Sequence, residues 1–153
     1  MKLVDILSPQ LVFPDILATN KEAALHEICV HIAQGRPGLQ AEQIFDTLNE
    51  REKLGSTGIG EGVAIPHGKL NNIDKLIACF AKSTKGVEFA SIDNEPTHLF
   101  FILLAPHHSA GLHLKALARI SRLLKNQDFR LRLMNAQDPQ VLFDIIQAED
   151  AHC

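Results

Sequence analysis

The segment REKLGSTGIGEGVAIPHGKL, residues 51–70, sets His67 between a proline and a glycine, after Gly55, Gly58, Gly60 and Gly62. Glycine loses the most backbone entropy on ordering, so such a stretch is a poor helix and a poor strand. A neutral imidazole is a competent nucleophile near pH 7. Glycines also let backbone N–H groups approach an anion without a Cβ in the way. Two more residues have matching chemistry. His113 falls in the first turn of a helical pattern, and the polar ends of helices hold anions. Arg51 offers a planar fork of donors that suits phosphate oxygens. Two imidazoles and one permanent cation make a phosphoryl site. Each histidine also has a plainer reading: His67 as an exposed loop residue, and His113 as a core histidine satisfied by a backbone carbonyl.

The glycine loop fits neither common nucleotide motif. A Walker loop needs a glycine five positions before Gly68-Lys69, where Val63 stands, and Leu70 occupies the place of the magnesium-binding Ser or Thr. Gly58-Ile59-Gly60 lacks the third glycine of a dinucleotide fingerprint, again at Val63. Three widely spaced cysteines, Cys29, Cys79 and Cys153, form neither a disulfide framework nor a thiolate zinc site. Cys29 and Cys79 lie among apolar neighbours and read as core residues, and Cys153 as an exposed terminus. A histidine metal site would need His67, His107 and His113 together. No metal and no cofactor is expected.

The chain has 153 residues, of which 46% are hydrophobic and 22% charged, the profile of one domain with a sizeable core. A net charge of −3 supplies no basic field for nucleic acid or anionic membrane, and the absence of Trp and Tyr removes the usual base-stacking platform. Asp5 and Pro9 interrupt any signal-peptide core. The longest apolar run, LFFILLA at 99–105, is too short to span a bilayer. The expected compartment is the cytoplasm.

Helical and strand patterns place these residues. Thr19 and Glu22 have capping-box spacing ahead of Leu25, Ile28, Cys29 and Ile32, the stripe of an amphipathic helix stopped by Gly35 and Pro37. A second helix from about Ala41 to Lys53 carries Ile44, Phe45 and Leu48 inward. The same spacing turns Arg51 toward the body of the protein. VAIPHG, KLIACFAK and THLFFILLAP read as strands, with a short strand and an Asp93-Asn94 turn between the last two. Leu99 to Ala105 shows no polar alternation and should be covered on both faces. A helix over about Gly111–Lys125 puts His113, Leu117, Ile120 and Leu124 in one stripe, and Asp138-Pro139 starts a last helix. His26 and His31 are expected at the surface and His107-His108 in an exposed loop. The pattern is α/β: one domain over residues 1–153, with helices packed around a buried strand.

The run RE-LGSTGIG-G-AIPHGKL resembles the active-site segment of the IIA components of the bacterial phosphoenolpyruvate phosphotransferase system, fructose/mannitol class. F-SIDNEPTHLFFILLAP and HLKALARIS are similar to the same class, in wording nearest its nitrogen-regulatory branch. The resemblance covers nearly the whole chain. It implies a mixed sheet sandwiched between helices on both faces, with His67 as the phosphorylated residue. His113 becomes the second active-site histidine, Arg51 the arginine lining the pocket, and Glu61 a carboxylate that orients an imidazole or merely tunes affinity. It further implies an HPr-like phosphocarrier as donor, and regulated targets such as kinases or potassium transport proteins. A sugar-specific subunit that passes phosphate to a IIB partner shares the same site and stays open as the alternative.

Overall fold

The computed structural model describes residues 1–152, so the terminal Cys153 lies outside the described residues. After a 3-10 turn at Leu3–Asp5 come β1 (Leu7–Phe13), α1 (Lys21–Gly35), α2 (Ala41–Lys53), β2 (Gly58–Gly60), β3 (Val63–Ala64) and β4 (His67–Leu70). They are followed by β5 (Ile77–Val87), β6 (Thr97–Pro106), α3 (Ala110–Leu124), α4 (Gln127–Asn135) and α5 (Pro139–Ala151). The sheet runs β1-β5-β6-β3-β2, and β4 also pairs with β6. It is mixed: β1 is parallel to β5, β5 antiparallel to β6, and β3 and β4 both parallel to β6. The long strand β6 is its centre, with Leu99 through Ala105 almost wholly buried. Helices α1 and α2 pack on each other and on the sheet, while α3, α4 and α5 form a second packed group. Apolar side chains on both faces of β6 therefore find cover.

The apolar stripes fall where spacing put them: Leu25, Ile28, Cys29 and Ile32 on α1, and Ile44, Phe45 and Leu48 on α2, are buried. Cys29 and Cys79 are core residues, and burial pushes the Cys29 thiol up to about 12. Four readings change. Asn20, not Thr19, caps α1, its side chain accepting from the Ala23 N–H, because Asn is the stronger cap of the two. The strand around His67 is broken into β3 and β4 at Ile65-Pro66. His26 and His31 are half-buried, His26 stacked on Phe45 at 3.6 Å between ring centroids and His31 tilted on Phe13 at 5.0 Å. β1 and α4 are elements that the sequence patterns above do not contain. β1 carries Pro9, which an edge strand tolerates because one row of its backbone groups has no partner strand. In α4 only Phe129 and Leu133 are buried, too few for a stripe.

Among the described residues no helix is long and apolar enough to cross a membrane.

Candidate functional site

β3 and β4 lie end to end along the same side of β6, with Val63 opposite Leu99 and His67 opposite Leu103. Pro66 marks the break between them, and the Leu103 N–H still reaches its carbonyl at 3.0 Å. The neighbouring Ile65 carbonyl is taken by the imidazole of His67, whose Nδ1 lies 2.8 Å from it. A carbonyl can only accept, so Nδ1 carries the proton and Nε2 keeps the lone pair. The kinked strand thus fixes the tautomer of a half-buried histidine and leaves the Nε2 lone pair free.

The next residue explains the glycine. A Cβ on Gly68 would stand 2.4 Å from Thr47 Cγ2, on the face of α2 against which β4 packs. Side chains alternate along a strand, so His67 and Lys69 point away from α2. Thr47 is β-branched with few χ1 rotamers, and its backbone carbonyl stands 3.4 Å from the same point, so α2 leaves little room to yield. Gly68→Ala should therefore cost about 1–3 kcal/mol through overpacking. Urea denaturation measures the loss, and Thr47→Ala in the same chain should restore most of it.

On the other face stands His113, in the first turn of α3, 9% exposed. Its ring meets that of His67 edge-on, with centroids 5.5 Å apart and planes at 77°. Among the described residues its Nε2 is buried with no hydrogen-bond partner. Burial holds its pKa below the ordinary 6.5, and His67 and Lys69 push it the same way. His113 is thus neutral at pH 7. The sign of the linkage follows: below about pH 6.5 the unfolded chain takes up this proton before the folded one does, so His113 makes stability fall with falling pH. A histidine NMR titration should place His113 below 6.5, whereas a value at or above 6.5 would mean that the ring is solvated.

Lys69 is the cation that spacing alone overlooked. It follows His67 by two positions on β4, exposed, and close enough to act on His113. The period-2 rule applied to HGK could have found it. Arg51 lies in the last turn of α2, half-buried, and its Nη1 donates to the Gly55 carbonyl at 2.9 Å. The fully inward position is its neighbour Glu52, 8% exposed, which accepts from the Thr57 N–H at 3.0 Å and pairs with Lys21 at 2.7 Å. This buried carboxylate ties the end of α2 to the start of β2. Spacing alone does not single it out, because the stripe of α2 continues onto both positions, 51 and 52.

The structure does not bring Glu61 to either imidazole. Glu61 is exposed in a turn with φ +57°, flanked by Gly60 at +92° and Gly62 at +75°, and its carboxylate faces Arg130 at 3.6 Å. The turn needs left-handed backbone at three successive residues, which accounts for the glycines on either side. His107 is exposed in the turn before α3, and among the described residues no three His, Cys, Asp or Glu side chains are grouped as a metal centre requires.

The arrangement is one oriented imidazole with a free lone pair, a second neutral imidazole beside it with an unpaired nitrogen, and the Lys69 cation close enough to act on the pair. The comparisons with known proteins give the family. Residues 5–149 match the family model described as "Phosphoenolpyruvate-dependent sugar phosphotransferase system, EIIA 2". The chain is 39% identical over 146 residues to a nitrogen regulatory protein of Bradyrhizobium diazoefficiens, covering 95% of each. Among solved structures, nitrogen regulatory protein IIA-Ntr from Neisseria meningitidis superposes with a TM-score of 0.85 at 30% identity, over 93% of this chain and 97% of that one. The IIA mannitol structure from Escherichia coli shares the fold, at a TM-score of 0.76 and 20% identity over 91% of this chain and 97% of that one. Mixed sheet and flanking helices are those of the family, and this chain belongs to the EIIA type-2 phosphocarriers of the phosphoenolpyruvate-dependent phosphotransferase system.

Proposed function

We propose that His67 accepts a phosphoryl group on Nε2 from the phosphohistidine of an HPr-like carrier, and that the phosphorylation state of this chain regulates target proteins. One observation carries the reading: the Ile65 carbonyl fixes the His67 tautomer with Nε2 free, beside the buried and unpaired Nε2 of His113. In the transfer the Nε2 lone pair attacks phosphorus, the donor's N–P bond breaks, and its electron pair leaves with the donor imidazole. Exchange between two phosphohistidines changes bond type little, so catalysis is positioning and charge stabilisation. As the new N–P bond forms, the His67 ring grows more cationic, and its Nδ1–H bond to Ile65 strengthens with it. His113 donates from Nε2 to a phosphoryl oxygen, which satisfies an atom otherwise buried unpaired. Arg51 and Lys69 offset the charge. Glu61, exposed and turned toward Arg130, takes no part in the step.

The nitrogen-regulatory relative at 39% identity favours a regulatory role, with kinases or potassium transport proteins as targets, over sugar uptake. Incubation with phosphoenolpyruvate and the general phosphotransfer proteins should load one acid-labile phosphate per chain, and only when an HPr-like carrier is present. A deletion strain should change potassium transport and leave fructose and mannitol uptake intact. Loss of sugar uptake with normal potassium transport would assign the chain to a IIB partner instead.

A further inference from the structure

The turn at Gly60–Gly62 also forms one wall of a cavity of about 380 Å³, closed on the other side by the C-terminal end of α3 and by α4. Ile59, Val63 and Leu124 give it an apolar wall, while Ser121, Lys125 and Arg130 give it a polar one. This cavity is separate from the histidine pair. Val63 pairs with Leu99 and His67 with Leu103, four positions along β6. On α3, Ser121 lies eight residues beyond His113, about 12 Å along the helix.

Arg130 dominates the polar wall. Its side chain is only 15% exposed, and its Nη1 donates to the Leu124 carbonyl at 2.6 Å. Its Nη2 faces the Glu61 carboxylate at 3.6 Å, too far for a hydrogen bond. A largely buried guanidinium is best matched by a carboxylate at hydrogen-bond distance. Glu61 cannot be that partner without leaving solvent: its side chain is 77% exposed, and its N–H is tied to Asp93 Oδ2 at 3.1 Å. The Glu61 carboxylate is therefore a loose stand-in, held at the rim of a cavity whose far wall is apolar.

We infer that this cavity binds a small organic carboxylate with a short apolar chain. The carboxylate takes the Nη2 edge of Arg130 in place of Glu61, with Lys125 and the Ser121 hydroxyl beside it. The chain lies against Ile59, Val63 and Leu124. A volume near the lower end of ligand pockets limits the occupant to a small molecule.

The inference stands apart from phosphotransfer and is tested on the full-length, unphosphorylated chain. Amide NMR titrations with hexanoate should give saturable shifts at Ile59–Val63 and Ser121–Arg130, with a Kd on the order of 1 mM or tighter for so few atoms. Hexan-1-ol, hexylamine and inorganic phosphate should each bind at least tenfold more weakly. Glu61→Gln should tighten hexanoate binding severalfold, because it removes the internal competitor. Arg130→Gln should abolish it. Should Arg130→Gln fail to fold after losing the Leu124 contact, Lys125→Gln, expected to weaken hexanoate severalfold, takes its place. The inference is overturned by hexan-1-ol or phosphate binding as tightly as hexanoate, by shifts that do not saturate, or by unchanged affinity in Glu61→Gln.

Discussion

His67→Ala is expected to abolish acid-labile phosphorylation while leaving the protein folded. The side chain is half-buried and hydrogen-bonds the Ile65 carbonyl, a contact worth about 1 kcal/mol net. The fold rests instead on β6 and the helices over it, where Leu99 through Ala105 are almost wholly buried. The melting temperature should accordingly change by only a few degrees, about the shift that 1 kcal/mol produces in a domain of this size. Phosphoryl acceptance should fall below detection, since among the described residues no other histidine is oriented in this way beside an unpaired buried nitrogen. His98 has the same tautomer, its Nδ1 fixed by the Ser83 carbonyl at 2.8 Å, but the buried unpaired imidazole of His113 lies against His67 and not against it, and His107 and His108 are exposed. Histidine phosphate retained by His67→Ala would show that the nucleophile had been misassigned.

The second large effect separates the two imidazoles. His113→Ala should still accept phosphate at His67, but more slowly by about 10²–10³, the usual loss on removing one preorganised donor. His113→Gln should recover part of that loss, because an amide N–H can donate from a similar reach. His113 also sits at the head of the buried stripe Ala116, Ile120, Leu123 and Leu124, so its removal opens a cavity under the first turn of α3. Melting curves must therefore accompany the rates. Normal transfer in both directions with a lowered melting temperature would mark His113 as a packing residue only. In the phosphorylated protein the His113 pKa should rise above its value in the free protein, because an anion then stands where His67 and Lys69 had pushed it down.

Much of this was legible in the chain. Where apolar spacing was regular, as in α1, α2 and β6, burial followed it, and on α3 it holds for His113, Ile120 and Leu124 with Leu117 only half-buried. The rest turned on tertiary context. β1 is held by its place beside β5 and interrupted by Pro9, so local pattern is weak there. α4 is anchored by two residues and needs the helices around it. His67 and His113 stood out by type and position, but their edge-on meeting depends on β4 and α3 converging on β6, which no local pattern encodes. Arg51 and Glu52 are adjacent at the end of one helical stripe, and only the fold shows which carboxylate is buried and which guanidinium faces a loop carbonyl. Lys69 was hidden for a different reason. Its importance comes from sharing a strand face with His67, and the strand break at Pro66 obscured that register.

The most direct test of the central claim asks which nitrogen carries the phosphate. Protein labelled with ¹⁵N-histidine, phosphorylated from phosphoenolpyruvate through the general phosphotransfer proteins, can be read by ¹⁵N and ³¹P NMR. The tautomer fixed by the Ile65 carbonyl predicts a single Nε2-phosphohistidine at His67, with Nδ1 still protonated. Phosphate on Nδ1 of His67, or on any other residue, would contradict the account.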